Sequence, residues 1–358
     1  MMKVSASRRL KRRISRKDDI PSCFVGVGSA TKQLLAAEDA ESRQSAALAV
    51  AAACGKTDDD DEILSRDAIR PLSEMLRGSH GEAEAGAFAL WKLARSFTNR
   101  LLIAEAGVIP ALVALFENGT DLAKENAAGV LLELANRNGM NKVSIAKAGA
   151  ILPLVALLYN GTDLAKENAA AALCELATGN DDNKLSIARA GAIPPLVALL
   201  RNGTDRAQEN AAEALCDLAI DNDMNKVSIV KGGTIPELVA LLQKGTDRAQ
   251  ENAAAALCAL ATDNAINIVA IARAGAIPEL VALLVDGSDL AKEISACVLV
   301  YLAAFSDYNK ASIARAGAIP PLVALLQNGT NLREKAIASL LRLLSYAQIM
   351  RIKERPNW

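Results

Sequence analysis

The sequence predicts an all-α protein built as a solenoid of stacked helical repeats, and three ladders of residues predict it. Gly107, Gly149, Gly191, Gly233, Gly275 and Gly317 recur every 42 residues, and Gly119, Gly161, Gly203, Gly245, Gly287 and Gly329 follow at the same interval, twelve positions later in each unit. Leu131, Leu173, Leu215, Leu257, Leu299 and Leu341 form the third ladder. A fixed period in the forties marks units that cannot bury an apolar face alone and do so by stacking. Proteins of this kind work by presenting surface.

Residues 183–224 show how one unit is built. Asn183 and its counterparts Asn141, Asn225, Asn267 and Asn309 read as N-caps of a short first helix. That helix ends at Gly191, which is free to adopt the left-handed C′ conformation. Pro194 and Pro195 open the second helix, where a missing N–H costs nothing. Leu196, Leu199 and Leu200 give it one apolar face at i, i+3 and i+4. Asn202-Gly203 ends it, and Thr204 or Asp205 caps a longer third helix whose Ala207, Ala211, Ala214, Leu215 and Leu218 keep helical spacing. The ends are less regular. Residues 69–95 match a unit with one or two residues missing, and residues 40–54 match a third helix alone, as an N-terminal cap would. Residues 309–346 carry Arg333, Lys335 and Arg342 where the preceding unit has Ala291, Glu293 and Val300, which suits a C-terminal cap.

The strings AGAIPPLVALLRNGT and ENAAEALCDLA closely resemble armadillo repeats, and NKLSIARAGAIPPLVALL looks most like those of plant U-box ligases and the vacuole-membrane armadillo adaptor. The resemblance covers residues 29–350. It implies a right-handed superhelical α-solenoid of about seven armadillo repeats of 42 residues, with degenerate terminal caps. Residues 1–28 then form a basic N-terminal arm and residues 351–358 a short tail. The family binds an extended peptide along the concave face of its third helices, with a tryptophan one turn before an asparagine on each. Aligned here, the asparagine falls at Glu133, Glu175, Asp217, Ala259 and Tyr301, and the tryptophan at Gly129, Ala171, Glu213, Ala255 and Cys297. Neither residue survives, which departs from the groove of importin-α-like relatives.

Composition narrows the function classes. Net charge is −1, so nothing draws the whole chain to nucleic acid or to an anionic membrane. No apolar run approaches a membrane span, and the first residues lack a secretory h-region; the expected compartment is cytoplasmic, nuclear or both. Cys174, Cys216 and Cys258 share one register with Leu132 and Val300 and read as small core residues, while Cys23, Cys54 and Cys297 show no ligand spacing. Asn118, Asn160, Asn202 and Asn328 open N-G-T sequons that also mark the turn before each third helix. Asp221, Asp223 and Asn225 imitate the start of a calcium loop, but Lys226 stands where such a loop requires glycine. His80 is the sole histidine, in an irregular turn. With no P-loop, dinucleotide fingerprint or HExxH, no catalytic, cofactor-binding or metal-binding residue and no small-molecule substrate is expected. The recurring Glu125, Glu167, Glu209, Glu251 and Glu293 read as solvated or capping charges near helix starts.

A polar ladder remains. Asn126, Asn168, Asn210 and Asn252 lie two turns before Glu133, Glu175 and Asp217 on one stripe of the third helices, with Arg206 and Arg248 one turn earlier in the middle units. Asparagine is a poor helix former, so its persistence needs a cause. One cause is an amide ladder between neighbouring units. The other is a partner-binding groove in which these asparagines, acids and arginines meet a protein or peptide. The first reading of function is therefore an interaction scaffold with no direct contact to nucleic acid. Alternatives are the substrate-recognition component of a ubiquitin ligase and a nuclear cargo adaptor with a basic autoinhibitory arm. The arm, with Arg8, Arg9, Lys11, Arg12, Arg13, Arg16 and Lys17, reads as a nuclear address, a solubilising tail, or, over residues 1–17, a mitochondrial presequence.

Overall fold

The computed structural model describes residues 27–54, 61–304 and 306–328, together with position 338. Among the described residues there are 21 helices and no strand. The chain divides into two compact units, 1–176 and 177–358. The first holds α1 (Val27–Ala36), α2 (Ala40–Ala53), α3 (Asp61–Met75), α4 (His80–Leu93), α5 (Phe97–Glu105), α6 (Ile109–Asn118), α7 (Asp121–Ala135), α8 (Gly139–Lys147), α9 (Ile151–Asn160) and α10 (Asp163–Ala177). The second holds α11 (Asp181–Arg189), α12 (Ile193–Asn202), α13 (Asp205–Ala219), α14 (Asp223–Lys231), α15 (Thr234–Lys244), α16 (Asp247–Ala261), α17 (Ala265–Arg273), α18 (Ala276–Asp286), α19 (Asp289–Ala304), α20 (Asp307–Arg315) and α21 (Ile319–Asn328).

Short, middle and long helices alternate because the two glycine ladders break the chain in two different ways. Gly149 and Gly191 have φ of 85° and 82°, the left-handed region the sequence requires of them. The Ala150 N–H then reaches back to Ile145 O at 3.3 Å and closes a Schellman turn. The first and second helices consequently meet at 81° for α5 and α6, 80° for α8 and α9, and 79° for α17 and α18. Gly161 and Gly203 are extended instead, and any Cβ there would lie 2.6 Å from the carbonyl oxygen of Leu157 or Leu199. Their constraint is space, not φ.

The long third helices make the core. Within the first unit α4 packs on α2 and α7, and within the second α16 packs on α13 and α19. Leu131, Leu173, Leu215, Leu257 and Leu299 are each 1% exposed or less. Alanines such as Ala127, Ala211 and Ala253, fully buried, let the helices approach closely. Leu341, Arg333, Lys335 and Arg342 lie outside the described residues, as do residues 1–26.

Two details differ from the sequence reading. Asn141, Asn225, Asn267 and Asn309 do not cap the first helices. The caps stand three residues earlier, at Asn138, Asn180, Asn222, Asn264 and Ser306, whose side chains accept the N–H of the residue expected to be the cap. The expected caps are buried, and their amides donate back to the closing turn of the preceding third helix: Asn141 Nδ2 to Leu134 O at 2.8 Å, Asn225 to Leu218 O at 3.0 Å. In the shortened N-terminal repeat, α3 replaces a first and a second helix with one 15-residue helix carrying Pro71 inside it. Asp67 occupies the left-handed glycine's place there, and with no break the helix runs on. The cap also contains α1, which packs on α2 and α3.

Arg137, Asp221 and Asp263 follow third helices with φ of 54°, 54° and 55°, where the equivalent Gly179 has 67°. A side chain in that region costs energy that glycine does not incur. Asp221→Gly and Asp263→Gly are each expected to raise the free energy of unfolding by about 1 kcal/mol, measured as a shift in denaturant midpoint, whereas Asp221→Ala should give no gain.

Candidate functional site

Four of the third helices, α7, α10, α16 and α19, begin with a hydroxyl that serves two helices. Thr120, Thr162 and Thr246 accept the N–H of the residue three positions on, capping α7, α10 and α16. The same hydroxyls donate to a glutamate of the neighbouring third helix: Thr120 to Glu84, Thr162 to Glu125, and Thr246 to Glu209 at 2.6 Å. Ser288 does so to Glu251. Six residues further, an asparagine donates to the backbone carbonyl of that glutamate: Asn126 to Glu84 and Asn168 to Glu125, both at 3.2 Å, and Asn252 to Glu209 at 3.0 Å. One glutamate thus accepts from the next repeat through its carboxylate and its carbonyl. Glu125 is 5% exposed, so in place of a solvated charge it is a buried acceptor whose partner is obligatory.

These bonds locate the polar ladder. Asn126 is 1% and Asn168 5% exposed, and their amide protons are used inside the stack. Asn210 is 9% exposed, and Asn252 is half-buried. The acids of the same stripe remain partly open. Glu133 is half-buried; Glu175 is 30% exposed and lies 3.6 Å from Lys142 Nζ; Asp217 accepts the Thr178 hydroxyl at 2.6 Å. Arg206 and Arg248 are exposed, and Arg248 Nη2 lies 3.3 Å from Glu213 Oε2 on the adjacent helix. At Gly129 a Cβ would fall 2.6 Å from the Trp91 ring, so the indole from α4 lies flat on the α7 backbone. Beside it Lys92 Nζ sits 5.1 Å from the Phe88 ring centre and 5.4 Å from that of Trp91. Burial pushes the Lys92 amine down, and Arg95 adds to the shift.

One set of residues escaped the sequence reading. Lys142, Lys184 and Lys226 are 7, 5 and 4% exposed. In the second unit, Lys184 Nζ donates to Ile220 O at 3.0 Å and Lys226 Nζ to Thr262 O at 2.9 Å, the C-cap carbonyls of α13 and α16. Each ammonium meets the negative end of the next long helix. The recurring Asn-Lys pair was the available signal. Lys226 also lies 3.5 Å from Asp223, the residue that had imitated a calcium ligand.

Among the described residues no cluster of three His, Cys, Asp or Glu could hold a metal ion. The thiols of Cys216 and Cys258 are pushed up to about 12 and about 11, chiefly by burial, with Asp217 next for the first and Cys297 for the second. His80 is exposed at the start of α4 and lines a cavity of about 440 Å³ with Leu76, Arg77, Ala83, Ala111 and Leu115. No single described helix is long and apolar enough to cross a membrane.

Residues 68–351 match the family model of the plant U-box protein ARM repeat region. No curated protein matches the chain. Among solved structures, an engineered protein is 27% identical, with a TM-score of 0.78 over 89% of this chain and 78% of its own. A designed armadillo repeat protein is 28% identical, with a TM-score of 0.62 over 66% of this chain and 99% of its own. Another, in complex with the peptide (KR)4, is 25% identical at TM-score 0.60 over the same shares, 66% and 99%.

The clasp sets an order of mutational cost. Thr162→Val removes a cap and strands the buried Glu125 carboxylate, for an expected loss of about 2–4 kcal/mol. Asn168→Ala loses one neutral hydrogen bond but gains helix propensity, so about 1 kcal/mol is expected. Chemical denaturation should rank them in that order, and Thr162→Val combined with Glu125→Gln should cost less than the sum of the two.

Proposed function

Since the chain belongs to the plant U-box ARM repeat family, we propose that it is a non-enzymatic scaffold binding extended, lysine- or arginine-bearing segments of protein partners along its third helices. One observation carries this reading. With threonine, glutamate and asparagine used in stacking, the accessible positions where the family holds peptide include carboxylates: Glu133 and Glu175 in the first unit, Glu213 and Asp217 in the second. Within each unit such carboxylates attract cations and fix their position by charge-assisted hydrogen bonds. Arg206 and Arg248 would set polarity, since acidic side chains of a partner pair there. The designed armadillo protein that holds (KR)4 supports the chemistry by analogy. The description of the matched family supports a second reading, that the bound segment is a substrate delivered to a ubiquitin ligase. Residues 1–17 act in this proposal as a nuclear address.

Binding of the (KR)4 peptide, followed by fluorescence anisotropy, tests the scaffold. Glu133→Gln combined with Glu175→Gln, which leaves an amide oxygen facing the buried Lys142 ammonium, is expected to weaken binding about tenfold or more and to reduce its salt dependence, with folding checked by circular dichroism. Equal binding by the variant would refute the acidic row. Deletion of residues 1–17 should leave melting unchanged and alter the distribution of the protein in cells; an unaltered distribution counts against the address.

A further inference from the structure

In the second unit the short first helices carry an apolar row that the stack leaves uncovered. Met224, Ile266 and Tyr308 hold the second position of α14, α17 and α20 and are 70, 80 and 75% exposed. One turn on, Val227 and Val269 are each 45% exposed. Isolated apolar side chains on a surface need no cause, but a row kept in register over three consecutive repeats forms a patch. The fold does not require it, because Asp182 takes the same position in α11 and is exposed.

Charge borders the row on both sides. At the N-terminal ends of the helices stand Asp223 and Asp307, with side chains 88 and 90% exposed, and the exposed Asp221 and Asp263. At the C-terminal ends stand Lys231, Arg273 and Arg315, all exposed. Nine residues of helix span about 13 Å, so the acidic and basic borders lie about one helix diameter apart. Along the row, α13, α16 and α19 set the repeat interval at helix-packing distance, about 8–10 Å. Seven residues of helix rise about 10.5 Å, which brings one side chain over each repeat.

We propose that this face docks an amphipathic helix of a partner protein. Its apolar residues recur every seventh position over Met224, Ile266 and Tyr308. Lysine or arginine lines the flank above the aspartates, and aspartate or glutamate lines the flank above Lys231, Arg273 and Arg315. The acidic border opposes adsorption to an anionic bilayer, and it is the border that a solely anionic helix could not meet. This surface is separate from the third-helix row and stands or falls without it.

The probe is a synthetic helix of about 22 residues, long enough for three repeats, with leucine at each seventh position, lysine on one flank and glutamate on the other. With the full chain, anisotropy should show saturable binding. Replacing the leucines by serine, or using the chain bearing Met224→Glu, Ile266→Glu and Tyr308→Glu, should weaken it about tenfold or more. The exposure of the three sites predicts an unchanged melting temperature, checked by circular dichroism. Three results overturn the proposal: no binding of the leucine probe or equal binding to the variant; adsorption of the parent alone to phosphatidylserine-containing vesicles; or self-association of the parent that the triple variant abolishes, which would assign the face to a second copy.

Discussion

A glutamate shared between two repeats is the constraint on which the stack depends. A Thr hydroxyl reaching Glu125 and an Asn amide reaching the carbonyl of the same residue fix the distance and the axial offset of α7 and α10 together. The hydrophobic contact between alanine-rich faces is broad and tolerant of sliding, since burial has no direction. The clasp has direction. A shift of one residue would leave a carboxylate that is 5% exposed without its donor, an error of about 1–3 kcal/mol or more for a charged group.

Much of this was legible in the sequence, and the boundary falls where local rules stop. The left-handed glycines, the proline-opened second helices and the Thr caps each depend on neighbours within four positions, and the structure has them where the sequence put them. Asn183 was misplaced by three residues because the pattern holds two asparagines, Asn180 and Asn183, that could both cap, and only the backbone decides between them. Gly203 shows the same limit: its period matches that of Gly191, while its cause is the oxygen of Leu199. The clasp joins residues 36 to 43 positions apart, and no spacing rule reports a bond between helices. The sequence did contain its trace, since threonine, glutamate and asparagine share the period, but it left the amide between two roles.

The same bookkeeping separates residues committed to the stack from those free to meet other molecules. Asn126 and Asn168, polar and periodic, are interior groups, whereas Met224, Ile266 and Tyr308, apolar and equally periodic, face water. Polarity alone would have sorted them the other way. Lys184 and Lys226 make the point again, as cations buried against C-cap carbonyls.

The shortened N-terminal repeat reveals what this architecture treats as its reading frame. Thr120 lies 36 residues from Glu84, while Thr162 lies 37 from Glu125, and both clasps close. The missing residue falls in the connecting hairpin, outside the six-residue span from threonine to asparagine. The loss of a residue between the long helices is therefore accommodated without breaking the clasp. Copying or deleting one complete unit leaves each remaining donor facing an identical acceptor, so such a chain can change length in whole words without a spelling error at the join.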